Sequence, residues 1–403
     1  MHDCDWALRL LSYMPSRARL TATNAAQARD ELKKRQQFLS SDQENVFADL
    51  FANHLDVLSV SSKNCENLVG SVEIPVGVAG PLKIIRDQTK TEYYLPLATT
   101  EGALVASVNR GCKALSLAGG VTVLSQKKGM SRAPVFACKS GKEALKLTAW
   151  LDKHQSLFQK IADQTSQHLR FITLQHWLRG RKVYARFVFD PDQAMGMNMV
   201  TIAVEEIAQA VIQANPQVEL LALSSNVCTD KKDSLINTIL GRGYWVQVEA
   251  FLPDKIIASV LKTTAEKIFK AHLAKNLVGS NVAGSLSQNA QVANVLAALY
   301  LATGQDPAHV VDGSRAFLSM EVERGGLYVA LTLPNVVVGV VGGGTTLAAQ
   351  TQARLLIKKN QPMKAIELAE VIGAAALAGE VSLMAALASG DLAKAHASLG
   401  RKK

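Results

Sequence analysis

Cysteine is scarce in this 403-residue sequence, and its spacing excludes two kinds of site. The five cysteines, Cys4, Cys65, Cys112, Cys138 and Cys228, are odd in number, lie far apart and include no CxxC pair. A redox motif or a thiolate zinc site needs closely spaced cysteines, so we expect reduced thiols. The eight histidines contain neither an HExxH motif nor a cluster with metal-ligand spacing. The sequence therefore predicts that the protein holds no metal.

A continuous apolar run of membrane-spanning length is also missing. Proline, glycine or polar residues interrupt the two longest apolar stretches, at 327–341 and 371–388. Residues 1–11 carry early charges and lack the apolar core of a secretory signal. We therefore expect a cytoplasmic protein that does not enter a membrane. With 48% hydrophobic residues, the chain is long enough to bury a sizeable core in two or more domains.

Acidic residues are outnumbered by basic ones, and the net charge of +10 favours an anionic ligand. One interpretation is a protein that binds nucleic acid. Aromatic residues amount to only 5%, however, and the basic residues are dispersed apart from short clusters. Recognition of nucleic acid normally uses aromatic stacking surfaces or concentrated basic faces. A substrate or cofactor rich in phosphate fits this composition better, and we expect no nucleic acid as a partner.

Hydrophobic periodicity and turn residues indicate an α+β protein. Residues 24–54 are predicted to form two helices, the second opened by Ser41 with Glu44 at capping-box spacing. A strand-and-turn pattern at 66–82 leads into a helix of small residues at about 101–117. These segments indicate a helical layer followed by a tight binding corner.

A change of pattern marks residues 134–222 as a compact α+β unit. Within it we predict helices at 142–153 and 199–214 and strands at 169–174, 182–190 and 218–223. Beyond it we predict a strand at 244–251 and alanine-rich helices near 255–275, 289–303 and 363–388. The predicted domains are a helical segment at 1–55, a large domain at 56–133 and 223–403, and a small domain at 134–222.

The run from Cys228 to Lys232 places two adjacent lysines beside an aspartate and a threonine. Adjacent ammonium groups repel each other, so a site that holds both needs an anion, a developing oxyanion or nearby carboxylates. Taken alone, the run is more typical of a solvated surface turn, because lysine is mostly exposed. The rest of the chain must decide between these two interpretations.

Three isolated residues are candidates for acid–base chemistry, each with a simpler alternative. Glu101 precedes a predicted helix, where it serves either as a proton donor or as a partner of the helix dipole. Asp306 in the GQDP turn is either functional or a turn cap. His396 is of a residue type suited to proton transfer near neutrality, but it stands alone near the end of the sequence.

The glycines at 342–344, followed by Thr345, offer backbone amides to a phosphate or form a flexible turn. No GxGxxG motif follows a strand. A dinucleotide would therefore bind without the usual Rossmann fingerprint.

Residues 60–401 resemble the catalytic portion of the hydroxymethylglutaryl-coenzyme A reductase family, with motifs in the same order and spacing. The residues in these motifs resemble those of class I, the NADPH-using type of the family. The matching segments are ENLVGSVEIPVGVAGPL at 66–82, ATTEGALVASVNRGCKAL at 98–115, AMGMNM at 194–199, CTDKK at 228–232, KNLVGSNVAGS at 275–285, GQDP at 304–307, GGGT at 342–345 and EVSLMAALASG at 380–390.

This resemblance implies reduction of hydroxymethylglutaryl-coenzyme A to mevalonate and coenzyme A by two NADPH, in the mevalonate route to isoprenoids. It assigns oxyanion stabilisation to Lys231 and proton donation to Glu101. It assigns electrostatic tuning of both to Asp306, and protonation of the coenzyme A thiolate to His396.

The resemblance also implies a fold, an assembly and two sets of binding residues. The large domain is expected to be mostly helical and to bind substrate, with a small ferredoxin-like nucleotide-binding domain inserted in it. A homodimer or homotetramer is expected, with the active site between subunits. The substrate-binding set is Glu66, Asn67, Arg132, Ser224, Asp230, Lys232, Lys275 and Asn294. The cofactor-binding set is Arg170, Phe171, Met195, Gly196, Met197, Asn198, Gly342 and Thr345.

Several positions depart from the family pattern. Gln193 stands where the family has an aspartate, and Leu169 where it has a serine. Gln291 replaces the histidine of an NAH triplet, and the loop before it is one residue short. These departures support an alternative, a catalytically weakened homologue that binds coenzyme A esters as a regulatory or structural subunit. We expect a soluble form without the family's membrane anchor.

Overall fold

The computed structural model describes residues 24–40 and 54–390. Within these ranges the protein combines helices with a largely antiparallel sheet, which confirms the α+β class. The α-helices of six or more residues are α1 (Ala25–Ser40), α2 (Val57–Lys63), α3 (Leu104–Leu117), α4 (Gly141–Lys153), α5 (Gln155–Thr165), α6 (Met197–Ala214), α7 (Leu235–Leu240), α8 (Ala265–His272), α9 (Val292–Thr303), α10 (Ala348–Ile357) and α11 (Ala365–Ser389), and a π-helix (Leu273–Gly279) follows α8. The strands are β1 (Val76–Arg86), β2 (Thr89–Ala98), β3 (Val121–Arg132), β4 (Val135–Ala137), β5 (Arg170–Arg179), β6 (Lys182–Asp190), β7 (Glu219–Ala222), β8 (Gly243–Pro253), β9 (Phe317–Glu323) and β10 (Gly326–Val336).

Strand β3 connects the two halves of the sheet. The central order is β7-β4-β6-β3-β8-β10-β9, with β1 beside β3, β2 beside β1 and β5 beside β6. Residues 122–129 of β3 pair with β8, whereas Met130 to Arg132 pair with β6. The register shifts between Lys127 and Gly129. Gly129 has a φ of 79°, and a Cβ there would lie 2.6 Å from the Phe189 carbonyl oxygen, so the junction requires glycine.

Residues 135–222 fold around their own hydrophobic cluster. Strands β4, β5, β6 and β7 form an antiparallel sheet in the order β7-β4-β6-β5, with α4 and α5 between β4 and β5 and α6 between β6 and β7. Buried side chains from both layers, including Phe136, Phe158, Phe187 and Val204, pack together in this cluster. The helices and strands predicted in this region are confirmed, while β4 and α5 were missed.

Helix α11 lies at the centre of the larger hydrophobic cluster. A Cβ on Gly111 of α3 would lie only 1.9 Å from the carbonyl oxygen of Ala378, so α3 and α11 pack backbone against backbone. The alanine-rich helix predicted near 363–388 is confirmed as α11. Contrary to the expectation that no apolar run has membrane-spanning length, α11 is long and apolar enough to cross a membrane. However, 83% of its apolar window is buried inside the protein, as in the core helix of a globular domain.

Several other elements differ from the prediction. Strands β2, β3, β9 and β10 were missed, so the large unit contains more sheet than expected. The helix predicted at 255–275 is broken at Lys262, where φ is 58° and Thr264 caps the start of α8. Helix α1 confirms the first helix predicted in 24–54, whereas the capping pair Ser41 and Glu44 lies outside the described residues.

Candidate active site

A cleft of about 860 Å³ lies between the start of α6 and the segment that follows β10. Residues 194–199, 304–307 and 341–345 line it, together with residues around α2. A parallel bridge joins Ala194 to Val341, and the Val340 amide donates to the Gln193 carbonyl oxygen at 2.9 Å. The structure therefore brings Asp306 together with six residues of the predicted cofactor-binding set: Met195, Gly196, Met197, Asn198, Gly342 and Thr345.

The cleft contains an uncapped helix N-terminus. Helix α6 begins at Met197 after Gly196, whose φ of 88° turns the chain sharply, and no side chain from residues 24–40 or 54–390 caps the helix. Among these residues, the first backbone amides of the 18-residue helix therefore have no acceptor from a capping side chain. Added Cβ atoms at Gly342 and Gly343 would meet no atom of the described residues within 4 Å, so the described part of the facing chain leaves open space. Such an arrangement suits a phosphate or another anion.

Lys231 and Asp306 form an ion pair, with 2.8 Å between Nζ and Oδ2. Asp306 also accepts from the Ala308 amide at 3.0 Å, so it caps the short helix Pro307–His309. The turn-cap interpretation of Asp306 is therefore confirmed, and the same carboxylate also binds Lys231. Burial raises the pKa of Asp306, but hydrogen bonds from Lys231 and Ala308, with the nearby His309, outweigh this and lower the pKa. The carboxylate is thus kept charged beside the lysine.

A buried ionic network lies behind this pair. The guanidinium of Arg242 is fully buried and pairs with Asp230 at 2.8 Å and with Asp312 at 3.1 Å. Asp312 also lies 3.1 Å from Nδ1 of His309. The sequence analysis missed Arg242, His309 and Asp312. The one available signal was the spacing of 306, 309 and 312, which places three titratable residues on one face of a helical segment.

Arg132 lies at the end of β3, next to Asp230. Its guanidinium donates to Thr201 Oγ1 at 2.8 Å and to Ser224 Oγ at 3.3 Å, and it lies 3.9 Å from an Asp230 oxygen. The structure thus brings together three predicted substrate-binding residues: Arg132, Ser224 and Asp230. Neutral hydroxyls make its closest contacts, so the guanidinium keeps positive charge for an anionic ligand.

Glu101 has a different neighbour from the one expected. Its Oε1 accepts from Asn294 Nδ2 at 3.4 Å, and the described side chains place it against Asn294 rather than against Lys231 or Asp306. Helix α3 begins only at Leu104, so Glu101 lies outside its first turn. Two predicted site residues are therefore adjacent here, one from the segment before α3 and one from α9.

Glu380 of α11 is a buried carboxyl group that contacts the backbone just before α9. It accepts from the amides of Ala290 at 2.8 Å and Gln291 at 2.6 Å, just before α9 begins. Burial raises its pKa to about 7, against the effect of the two amides and of the positive charge on Lys275. The two glutamines that depart from the family pattern each bind the backbone of another segment. Gln291 donates to the Gly379 carbonyl oxygen, and Gln193 accepts from the Ala365 amide.

The remaining predicted residues are more scattered. Arg170 is exposed at the start of β5, and Phe171 packs edge-on against Phe158 and Phe189; neither lines the cleft within the described ranges. Lys232 is exposed and donates to the Asp230 carbonyl oxygen at 3.3 Å. Glu66 and Asn67 lie between Cys65 and Leu68, which do line the cleft. His396 lies outside the described residues.

Comparisons with known proteins point in one direction. The family model for Hydroxymethylglutaryl-coenzyme A reductase matches residues 31–401. The 3-hydroxy-3-methylglutaryl-coenzyme A reductase of Methanocaldococcus jannaschii is 45% identical over 352 residues, covering 86% of this chain and 87% of the relative. That of Haloferax volcanii is 42% identical over 389 residues, covering 95% and 94%. Among solved structures, the class II 3-hydroxy-3-methylglutaryl-CoA reductase of Streptococcus pneumoniae bound to NADPH has a TM-score of 0.64 at 19% identity, covering 90% of this chain and 97% of that one.

Proposed function

The chain belongs to the hydroxymethylglutaryl-coenzyme A reductase family, and on that premise we propose that it reduces hydroxymethylglutaryl-coenzyme A to mevalonate and coenzyme A. The observation that carries the proposal is the Lys231–Asp306 ion pair beside the open N-terminus of α6. The pair supplies a positioned cation for a carbonyl oxygen, and the helix supplies amides for a phosphate.

We propose NADPH as the cofactor, which supplies the hydride when bound. The free amides at the start of α6 and the open space over Gly342 and Gly343 fit a phosphorylated nucleotide. Residues Met195 to Asn198 and Thr345 would line its position. Arg170 and Phe171 remain proposed contacts of the nucleotide, outside the cleft lining. Preference for NADPH over NADH, the class I property, belongs to the same proposal.

The proposed chemistry assigns charge and protons to four residues. Lys231 hydrogen bonds the carbonyl oxygen as negative charge develops on it, and Asp306 holds the ammonium in place. Glu101, positioned by Asn294, donates the proton to the reduced carbonyl oxygen. His396 protonates the departing thiolate of coenzyme A.

The proposed substrate site uses the positive charge around Asp230. Arg132, with Lys232 and Lys275, would pair with the hydroxymethylglutaryl carboxylate, while Ser224 and Asp230 would bind its polar groups. Glu66 and Asn67 would lie near coenzyme A.

The domain division and assembly are also proposals. The βαββαβ connectivity and the strand order β7-β4-β6-β5 support a ferredoxin-like nucleotide-binding domain at 134–222, inserted between 56–133 and 223–403 after the segment 1–55. We further propose a homodimer or homotetramer with the active site between subunits. Exposed apolar side chains, including Ile239 and Val282, support this proposal.

The test is to follow the loss of reduced-nicotinamide absorbance with purified protein and hydroxymethylglutaryl-coenzyme A. We expect two NADPH consumed per thioester and slower turnover with NADH. Lys231→Met should abolish turnover, whereas Lys153→Met, at an exposed position on α4, should not. Ligand binding without turnover by the unmodified protein would instead favour the binding homologue.

A further inference from the structure

His309 is fully buried behind the proposed catalytic pair, and one of its ring nitrogens is not satisfied. Nδ1 lies 3.1 Å from Asp312 Oδ1. Nε2 has no hydrogen-bond partner within the described residues. It points at two carboxylates, being 3.8 Å from Asp230 Oδ1 and 4.0 Å from Asp306 Oδ2. A buried nitrogen aimed at two acidic oxygens requires an explanation.

Nδ1 of His309 lies 3.1 Å from Asp312 Oδ1 and 3.5 Å from Nη1 of Arg242. An ionised carboxylate only accepts hydrogen bonds and is the nearer of the two groups, so we assign a proton to Nδ1. A neutral ring would then turn the Nε2 lone pair towards two negatively charged oxygens, which is repulsive in a buried site. An imidazolium ring would instead present an N–H to both.

The groups that contact the ring directly carry more negative than positive charge, with three carboxylates and the guanidinium of Arg242. Three carboxylates, those of Asp230, Asp306 and Asp312, lie within 4.0 Å of the ring. Four charged groups contact the ring directly: Asp306 and Asp312 of its own segment, Asp230 of the loop after β7, and Arg242 before β8. Three more groups interact with these carboxylates rather than with the ring: Lys231 with Asp306, Arg132 with Asp230, and Tyr300 of α9 with Asp312.

We infer that His309 is a positioning residue whose Nε2 proton is shared between Asp230 and Asp306. Asp312 orients the ring, and the ring in turn holds the two carboxylates in the directions that place Lys231 and Arg132. At 3.8 and 4.0 Å, the two contacts are ion-pair distances, longer than a direct hydrogen bond. The inference rests on the proposed function, because the roles of Asp306 and Asp230 do.

Two neutral substitutions separate the two nitrogens of His309. The amide of an asparagine can replace Nδ1 and keep the contact with Asp312, but it does not reach the other carboxylates. The amide of a glutamine reaches the position of Nε2 and keeps that donor without its charge. We expect His309→Asn to lower kcat by about tenfold or more, with KM for the thioester within about threefold, and His309→Gln to recover most of the loss.

The split between kcat and KM, with recovery by glutamine but not by asparagine, is a readout that a purely structural role would not give. The matched control is His176→Gln, where Nε2 lies 3.1 Å from Asp152 on the small unit, and it should leave kcat and KM unchanged. Equal activity of His309→Asn and His309→Gln would overturn the inference.

A second measurement does not depend on activity. Nitrogen NMR of the histidine-labelled wild-type protein at the assay pH should show a ring with both nitrogens protonated, which we expect to assign to His309 by its loss in His309→Gln. If no such ring is present, the inference fails whether or not the protein reduces the thioester. If the ring is present but the protein is inactive, the proposed function fails and the shared proton stands.

Discussion

Asp306 combines two tasks that usually fall to separate side chains. One oxygen caps the helical turn Pro307–His309, and the other binds the ammonium of Lys231. The cap fixes the carboxylate on the backbone, so the lysine is anchored to a rigid turn rather than to a mobile side chain. The structure therefore explains how an exposed lysine is held in one direction.

Asp306→Asn should remove the charge while keeping most of the shape. We expect kcat for hydroxymethylglutaryl-coenzyme A reduction to fall by about 10²–10³, because an amide neither balances nor orients the ammonium as well. The affinity for NADPH, measured by fluorescence titration, should change little. Asp152→Asn, which alters an aspartate paired with His176, is the control. Retention of normal kcat in Asp306→Asn would contradict the assigned role.

The sequence identified individual site residues by their motifs but not the network that supports them. Lys231 and Asp306 were both predicted, and they lie 2.8 Å apart. Arg242 was missed because a lone arginine between two glycines resembles a turn residue in the sequence. Its burial follows from partners 12 and 70 residues away, which local patterns do not reveal.

Helices α9 and α11 are connected through Glu380. Its two oxygens accept hydrogen bonds from the amides of Ala290 and Gln291, which precede α9. Asn294, three residues after Gln291, donates to Glu101. The proposed proton donor thus depends on the packing of a core helix. Local sequence did not predict this, since a glutamate within an apolar helix gives no sign of which backbone it contacts.

Glu380 should make stability fall as pH rises. Its pKa is about 7 in the folded protein, and an unfolded glutamate titrates near 4.3. The folded state therefore binds this proton more tightly than the unfolded state does. The protonated carboxyl adds on the order of 3 kcal/mol to the free energy of unfolding below about pH 4.3, and this stabilisation is lost as the pH rises through about 7. Glu380→Gln does not titrate here.

Urea midpoints measured between pH 4.5 and 8 test this prediction. The stability of Glu380→Gln relative to wild type should increase with pH, whereas Glu92→Gln, at an exposed position on β2, should follow wild type. A constant difference between Glu380→Gln and wild type across this range would show that Glu380 does not take up the proton.

Gly111→Ala should separate α3 from α11. The new methyl group would overlap the Ala378 carbonyl, where the ideal Cβ position is 1.9 Å from the oxygen, so one helix must move. We expect the free energy of unfolding, measured in urea, to fall by about 1–3 kcal/mol. Gly141→Ala meets only a carbonyl oxygen at 3.5 Å and should be tolerated. Equal midpoints for both variants would contradict the close packing of the helices.

Strand β10 was missed because its residues are buried on both faces of the sheet. Its sequence therefore lacks the alternation typical of a half-buried strand. The small unit was easier to predict, since its strands and helices are separated by clear turns.

At the scale of the whole molecule, two pairs of apolar side chains are exposed four residues apart. Leu235 and Ile239 on α7 are 59% and 79% exposed, and Val278 and Val282 are 55% and 83% exposed. Apolar side chains grouped in this way are typical of an interaction surface. The proposed association between subunits would cover such residues and complete the active site.

Ile239→Asp and Val282→Asp test that association. We expect sedimentation velocity to show a shift towards monomer in at least one of them, with a parallel loss of reductase activity. Leu145→Asp, at a 63% exposed position on α4, serves as the control and should leave the assembly intact. A fully active monomer would refute the shared active site.

A tilt of the small unit relative to the large one must twist β3, because the same strand is hydrogen bonded to both. Arg132 is the last residue of that strand, so its guanidinium turns with it. If the small unit binds the nucleotide and Arg132 binds the substrate carboxylate, as proposed, a movement of the small unit on nucleotide binding would reach the substrate through this one strand. Occupation of the cofactor site would then change the direction of a single arginine side chain.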